Sequence, residues 1–288
     1  MPSARPIFSI QLPGGRELSL GSRTLVMAIV NVTPDSFADG GERFDPDRAI
    51  AYALTAIEQG ADILDIGGES TRPGAPAVGE AEELRRVLPV LEGLRGRVEV
   101  PISIDTYKAA VAEQAVALGA TIVNDISAFA NDPAIAGVVA RTGAAAVLMH
   151  NRGQSSHIYQ FAQYVDVMAE IQADLTARIA VAEAAGVRRT QLIVDPGVGF
   201  AKKAEHSLET LARLGEMAAL GLPILSGPSR KSFLRVALGD VPPAERVWGT
   251  AAAVTASILG GAHIIRVHDV AAMTQVARVA DAIRAAPR

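Results

Sequence analysis

Eight times along this chain a run of β-branched and aliphatic residues gives way at once to polar and glycine-rich residues. The junctions include AIVNVTPDSFADGG (28–41), ILDIGGESTRPG (63–74), ISIDT (102–106), IVNDI (122–126), IVDPGVGF (193–200), ILSGPSRKSF (224–233) and IIRVHDV (264–270). Short apolar runs separated by helical stretches predict parallel strands with crossover helices, and eight such units close into a (β/α)8 TIM barrel. In that fold every strand ends on the same face, so polar residues spread over about 240 positions of sequence converge on one mouth.

The 288 residues fit a single barrel of about 250 residues plus a short addition. Strands are expected at 24–31, 62–66, 100–104, 121–124, 144–149, 191–194, 223–226 and 263–267. Ahead of them, residues 7–10 and 17–20 flank Pro13-Gly14-Gly15 and read as a hairpin outside the barrel that plugs its bottom. The chain thus divides into an extension, 1–23, and a catalytic barrel, 24–288. Intervening stretches such as Asp47–Gln59 and Tyr107–Leu118 carry apolar residues at helical spacing. Several helices are expected to stop at Gly-Ala pairs (60–61, 119–120, 143–144, 261–262), glycine being the usual residue just past a helix end. Met149, Met168, Met217, Phe161 and Tyr164 read as packing residues, and the unpatterned Gly153–Tyr159 as a mobile loop.

Composition narrows the function classes. The chain has no cysteine, which excludes disulfides, thiolate metal sites and cysteine nucleophiles and leaves oxygen or imidazole for any metal. A net charge of −4 without a block of Lys or Arg gives no footprint for nucleic acid or an anionic membrane. No apolar run approaches the roughly 20 residues needed to cross a bilayer, and the N-terminus lacks a signal-peptide core. The expected partner is a small molecule and the expected compartment the cytoplasm.

Asp105, Asn124 and Asp195 stand at the ends of the third, fourth and sixth strands. Two carboxylates and an amide directed into one pocket suit a donor-rich planar heterocycle, since a carboxylate can accept two parallel N–H donors from an amino-pyrimidine edge. The competing reading is that Asp105 and Asp195 cap the helices that follow. At the seventh and eighth strand ends lie Ser229-Arg230-Lys231-Ser232 and Arg266-Val267-His268, where barrels commonly hold a phosphate. Arg266 and His268, two apart on a strand, point to one side and are expected to grip one anion together. Two glycine-bearing segments, Thr33–Gly41 with Asp35, Phe37 and Asp39, and Glu69–Gly74 with Thr71 and Arg72, have the composition of lids. Asn31 offers an oxygen to Mg2+ carried by a pyrophosphate.

NVTPDSFADGG, DIGGESTRPG, SIDTYK, VNDI, DPGVGF, SRKSF and RVHDV stand in an order that resembles the dihydropteroate synthases over residues 24–286. The resemblance implies a homodimeric barrel that joins 6-hydroxymethyl-7,8-dihydropterin pyrophosphate to p-aminobenzoate and releases pyrophosphate with Mg2+ bound. It further implies that Asp105, Asn124, Asp195 and Lys231 bind the pterin, and that Asn31, Thr71, Arg266 and His268 hold the pyrophosphate. Phe37, Thr71, Arg72, Pro73, Lys231 and Ser232 are then expected around p-aminobenzoate, with Asp35 and Asp39 in the lid and Asp105, Lys231, Arg266 and His268 in catalysis. The sequence departs from the family's commonest pattern at Asn151, Ala201 and Lys203. A corrinoid-linked methyltransferase shares the barrel and pterin pocket but has no pyrophosphate to hold, so the cations at the seventh and eighth strand ends argue against it. A non-catalytic pterin-binding relative is expected to lack the lid or the anion residues. A phosphosugar isomerase would account for those cations but not for the Asp-Asn-Asp set.

Overall fold

The computed structural model describes residues 5–33, 45–70, 75–153 and 161–286. Strands β1 (Phe8–Gln11) and β2 (Glu17–Leu20) form the expected antiparallel hairpin. The barrel strands are β3 (Leu25–Asn31), β4 (Ile63–Gly67), β5 (Ile102–Asp105), β6 (Ile122–Asp125), β7 (Ala145–Met149), β8 (Leu192–Asp195), β9 (Leu225–Ser226) and β10 (Ile264–Val267). All pair in parallel, in the order β8-β7-β6-β5-β4-β3-β10-β9. A parallel bridge between Val194 and Ile224, with the Val194 N–H donating to Pro223 O at 3.0 Å, closes β8 onto the β9 side. β9 is shorter than the sequence predicts, because Pro223 has no N–H to give a ladder.

The pleat sorts each strand into two faces. Outward residues such as Val26, Ala28, Val30, Leu64, Ile66, Ile104, Val123, Ala146 and Leu148 join the large core beneath the helices. Inward residues Met27, Ile63, Ile122, Ala145, Val147, Ile193, Leu225 and Ile264 fill the lower barrel, and Ile10, Leu12 and Leu20 of the hairpin pack into the same cluster. The hairpin is therefore the plug that the sequence predicts. Both strand faces being apolar explains why these segments read as continuous aliphatic runs.

The main helices are α1 (Pro46–Glu58), α2 (Glu80–Leu94), α3 (Ala109–Ala117), α4 (Ala134–Thr142), α5 (Val167–Ala184), α6 (Ala204–Ala212), α7 (Arg235–Leu238), α8 (Val247–Leu259) and α9 (Val270–Ala285). Asp45 caps α1 through the Asp47 N–H, and Asp166 caps α5 through the Met168 and Ala169 N–H groups. The Gly-Ala pairs do end the crossovers: Gly60, Gly119, Gly143 and Gly261 all adopt positive φ. Met149, Met168 and Met217 are buried as expected, whereas Phe161 is half exposed. No helix of the described residues is long and apolar enough to cross a membrane.

Candidate active site

Moving up the barrel, the inward positions change from aliphatic to polar. On β4 the sequence runs Ile63, Asp65, Gly67 inward; on β5 Ser103 and Asp105; on β6 Ile122 and Asn124; on β8 Ile193 and Asp195; on β10 Ile264 and Arg266. Asp65, Asp105, Asn124 and Asp195 are all buried. Gly67 lets the mouth narrow here, because a Cβ on it would lie 3.2 Å from Asp105 Cβ.

Neither aspartate caps a helix. The α3 start is served by Asp132, which accepts from the Ala109 N–H at 2.8 Å, and by Thr106, which accepts from the Lys108 N–H at 3.2 Å. Asp105 instead accepts from Arg266 Nη2 at 2.5 Å. Asp195 accepts the Gly197 N–H at 2.7 Å, nine residues short of α6, which orients its carboxylate in the mouth.

Arg266 also donates through Nε to Asp65 Oδ2 at 2.5 Å, and Asn124 Nδ2 donates to that same oxygen at 3.1 Å. Asp65 therefore orients two expected ligand residues at once, although it was not among the residues singled out from the sequence. The signal was present: a charge inside ILDIGG at the inward register. Burial pushes the Asp105 carboxyl up to about 7, opposed by the Arg266 guanidinium and reinforced by the Asp65 charge.

Lys231 lies across Gly199, where a Cβ would stand 2.8 Å from its Cδ, and its Nζ donates to Val198 O over the face of Phe200. Burial pulls this ammonium down to about 8, with Asp195 acting the other way. Burial likewise raises the Asp195 carboxyl above its ordinary range, against Lys231.

The cations at the β9 and β10 ends have different protein partners. Arg266 faces the two carboxylates inside the mouth. His268 pairs through Nδ1 with Ser229 Oγ at 3.0 Å. Arg230 is tied to Asp269, with Nε to Oδ2 at 2.9 Å, so it is a structural cation. Asn31 ends β3 opposite Gly67, beside the cavity that His268, Tyr52 and Asp269 also line. Ser232 is exposed at the start of a short turn. Asp35, Phe37, Asp39, Thr71, Arg72 and Pro73 lie outside the described residues, as does most of the loop expected to be mobile.

The departure at 201 puts an alanine into a left-handed backbone conformation. Ala201 is buried with φ +46°, a conformation that suits glycine. Ala201→Val is therefore expected to cost about 2–3 kcal/mol, since a β-branched residue is poorly tolerated there. A chemical denaturation midpoint matching the parent's would refute this.

The comparisons agree with this geometry. Residues 27–268 match the family described as pterin binding enzyme. A dihydropteroate synthase from Synechocystis is 48% identical over 277 residues, covering 96% of each chain. Among solved structures, Xanthomonas albilineans dihydropteroate synthase with 4-aminobenzoic acid is 44% identical with a TM-score of 0.89, covering 97% of this chain and 100% of that one. The same organism's enzyme in complex with 7,8-dihydropteroate is 40% identical with a TM-score of 0.85, covering 96% and 100%. An inward-facing Asp-Asn-Asp set, a lysine folded against it and a relationship that runs through the whole barrel lead to one placement: the chain belongs to the pterin binding enzyme family, among the dihydropteroate synthases.

Proposed function

We propose a division of labour for the dihydropteroate synthase reaction, in which p-aminobenzoate displaces pyrophosphate from 6-hydroxymethyl-7,8-dihydropterin pyrophosphate. The observation that carries it is the convergence of Asp105, Asn124, Asp195 and Lys231 on one buried mouth. Asp195 would accept the N–H donors of the amino-pyrimidine edge, Asn124 would supply a donor and an acceptor beside it, and Lys231 would donate to the ring carbonyl and nitrogen.

The C–O bond to pyrophosphate breaks first, leaving a pterin-methylene cation; the aniline nitrogen forms the new N–C bond to it, and the resulting anilinium adduct sheds an N–H proton to solvent. Asp105, next to the ring, stabilises the cation in its ionised form, which the Arg266 contact favours. His268 and Asn31 hold the departing pyrophosphate, joined by Thr71 and by Arg266 through Nη1, the nitrogen its two carboxylate contacts leave out. Asn31 offers a single amide oxygen, and among the described residues no group of three or more His, Asp or Glu could hold a metal. That donor set fits Mg2+ as an ion held mainly by pyrophosphate oxygens, where it would neutralise leaving-group charge.

Phe37, Arg72, Pro73, Lys231 and Ser232, with Thr71, would form the p-aminobenzoate site, with Asp35 and Asp39 organising the lid. Phe37→Ala and Arg72→Ala are accordingly expected to raise KM for p-aminobenzoate far more than KM for the pterin substrate, because a lid meets the second substrate after the first has ordered it. Equal changes in both constants would refute a selective lid. A cytoplasmic homodimer completes the reading; exposed Val236, Leu238 and Trp248 are apolar side chains that a second copy would cover, and a monomeric mass in sedimentation would remove that part.

The deciding assay supplies pterin pyrophosphate, p-aminobenzoate and Mg2+ and follows pyrophosphate. Release that depends on p-aminobenzoate is expected, and its absence would overturn the assignment.

A further inference from the structure

Lys202 is only 2% exposed, and among the described residues no carboxylate touches its ammonium. Its Nζ meets three acceptors: Gly197 O at 3.1 Å, Phe200 O at 3.2 Å and His150 Nδ1 at 2.9 Å. Burying a lysine this way is costly unless each N–H is used.

The far side of His150 decides the protonation pattern. Its Nε2 lies 3.1 Å from Asp174 Oδ2 on α5, and burial drives the imidazole pKa down to about 4, so the ring is neutral at pH 7. A neutral ring has one N–H, and the carboxylate takes it at Nε2. Nδ1 is then an acceptor, which Lys202 can satisfy only by donating. Three N–H groups of an ammonium match three acceptors, although burial by itself pulls this lysine well below its ordinary pKa.

The clamped segment is the one that builds the pterin side of the mouth. Residues 196–201 follow Asp195, wind through positive φ at Gly197, Gly199 and Ala201, and present Val198 O to Lys231 and the Phe200 ring to its ammonium. Lys202 holds the two carbonyls on either side of Val198. Tyr164 adds an outer tie through its hydroxyl to Ala201 O at 2.9 Å. The loop is thus held by one lysine from the mouth and another from behind.

We propose that Lys202 is a positioning residue of the pterin subsite, its ammonium fixing the Gly197 and Phe200 carbonyls and thereby the placement of Lys231 and Asp195. The proposal rests on the reading of Asp195 and Lys231 as pterin ligands. The three acceptors around Lys202 are all protein groups, so its influence passes through the loop.

The test is calorimetric titration of folded variants with 6-hydroxymethyl-7,8-dihydropterin, together with KM for p-aminobenzoate. Lys202→Met, similar in length but without donors, is expected to weaken pterin binding by about tenfold or more and to raise KM for p-aminobenzoate by less, since of the residues it places only Lys231 is shared with that site. Asp174→Ala acts from the half-exposed outer end, freeing the imidazole to place its proton on Nδ1 against Lys202, and is expected to weaken pterin binding by about threefold. If Lys202→Met does not fold, Asp174→Ala decides alone. A purely structural lysine would lower the unfolding midpoint and leave both ligand constants unchanged, which overturns the proposal. Asp195→Asn, measured in parallel, separates the two possible failures. If it loses pterin while the Lys202 and Asp174 variants do not, positioning by Lys202 is wrong; if it too keeps pterin, the ligand assignment is wrong and the proposal falls with it.

Discussion

Replacing Arg266 with alanine is expected to slow turnover by at least about 100-fold, the size typical for losing one preorganised charge-stabilising donor. It should also destabilise the fold by about 3–5 kcal/mol, because it leaves Asp65 and Asp105 as buried carboxylates without their common cation. The two losses are separable by pH. Asp105 already has its carboxyl raised to about 7 by burial, and removing Arg266 takes away a group that lowers it. A carboxyl whose folded pKa lies above its unfolded value contributes stability below the ordinary carboxylate range and loses it as pH rises through the folded value. The variant's deficit relative to the parent should therefore be largest above the variant's own raised Asp105 pKa and shrink as pH falls to about 7, below which Asp105 is protonated in both folded proteins. Adding Asp105→Asn to Arg266→Ala should recover stability without recovering turnover. A deficit independent of pH, with no recovery in the double variant, would mean that the triad is not an electrostatic unit.

That triad also marks the limit of what the sequence revealed. The barrel was legible because the same physical constraint repeats eight times: a strand covered by helices outside and packed inside must be apolar throughout, and its polar end must lie at the mouth. Asp105, Asn124 and Asp195 were legible for the same reason, as polar residues at strand ends. Asp65 was obscured because it lies two residues lower, where the expectation is aliphatic filling. The contacts of Arg266 with Asp65 and Asp105 were hidden because strand parity fixes the side of a side chain but not its partner across the barrel. Arg230 illustrates the converse. It reads as part of a basic cluster, yet its tie to Asp269 becomes visible only when the β9 and β10 loops are brought together. Lys202 was hidden by ordinary odds, since a lysine after a loop is normally solvated.

Asp195→Asn is expected to cost about 2–5 kcal/mol of pterin affinity, the range for removing one partner from a buried charge-assisted pair. The local geometry makes the substitution unusually direct. The Gly197 N–H donates to Oδ1 at 2.7 Å, and an asparagine can keep that bond with its amide oxygen. Its NH2 group then occupies the place of Oδ2 and presents donors to the donors of the amino-pyrimidine edge. The exchange also removes an anion that works against burial at Lys231, whose pKa of about 8 should fall, so that less of this lysine is charged at neutral pH. Both changes weaken the pterin contacts. Titration of the folded variant with the pterin should therefore show the loss, and it should deepen as pH rises from about 6 toward 8 and Lys231 loses its proton. Unchanged pterin affinity across that range would remove Asp195 from the site, whatever the variant's turnover.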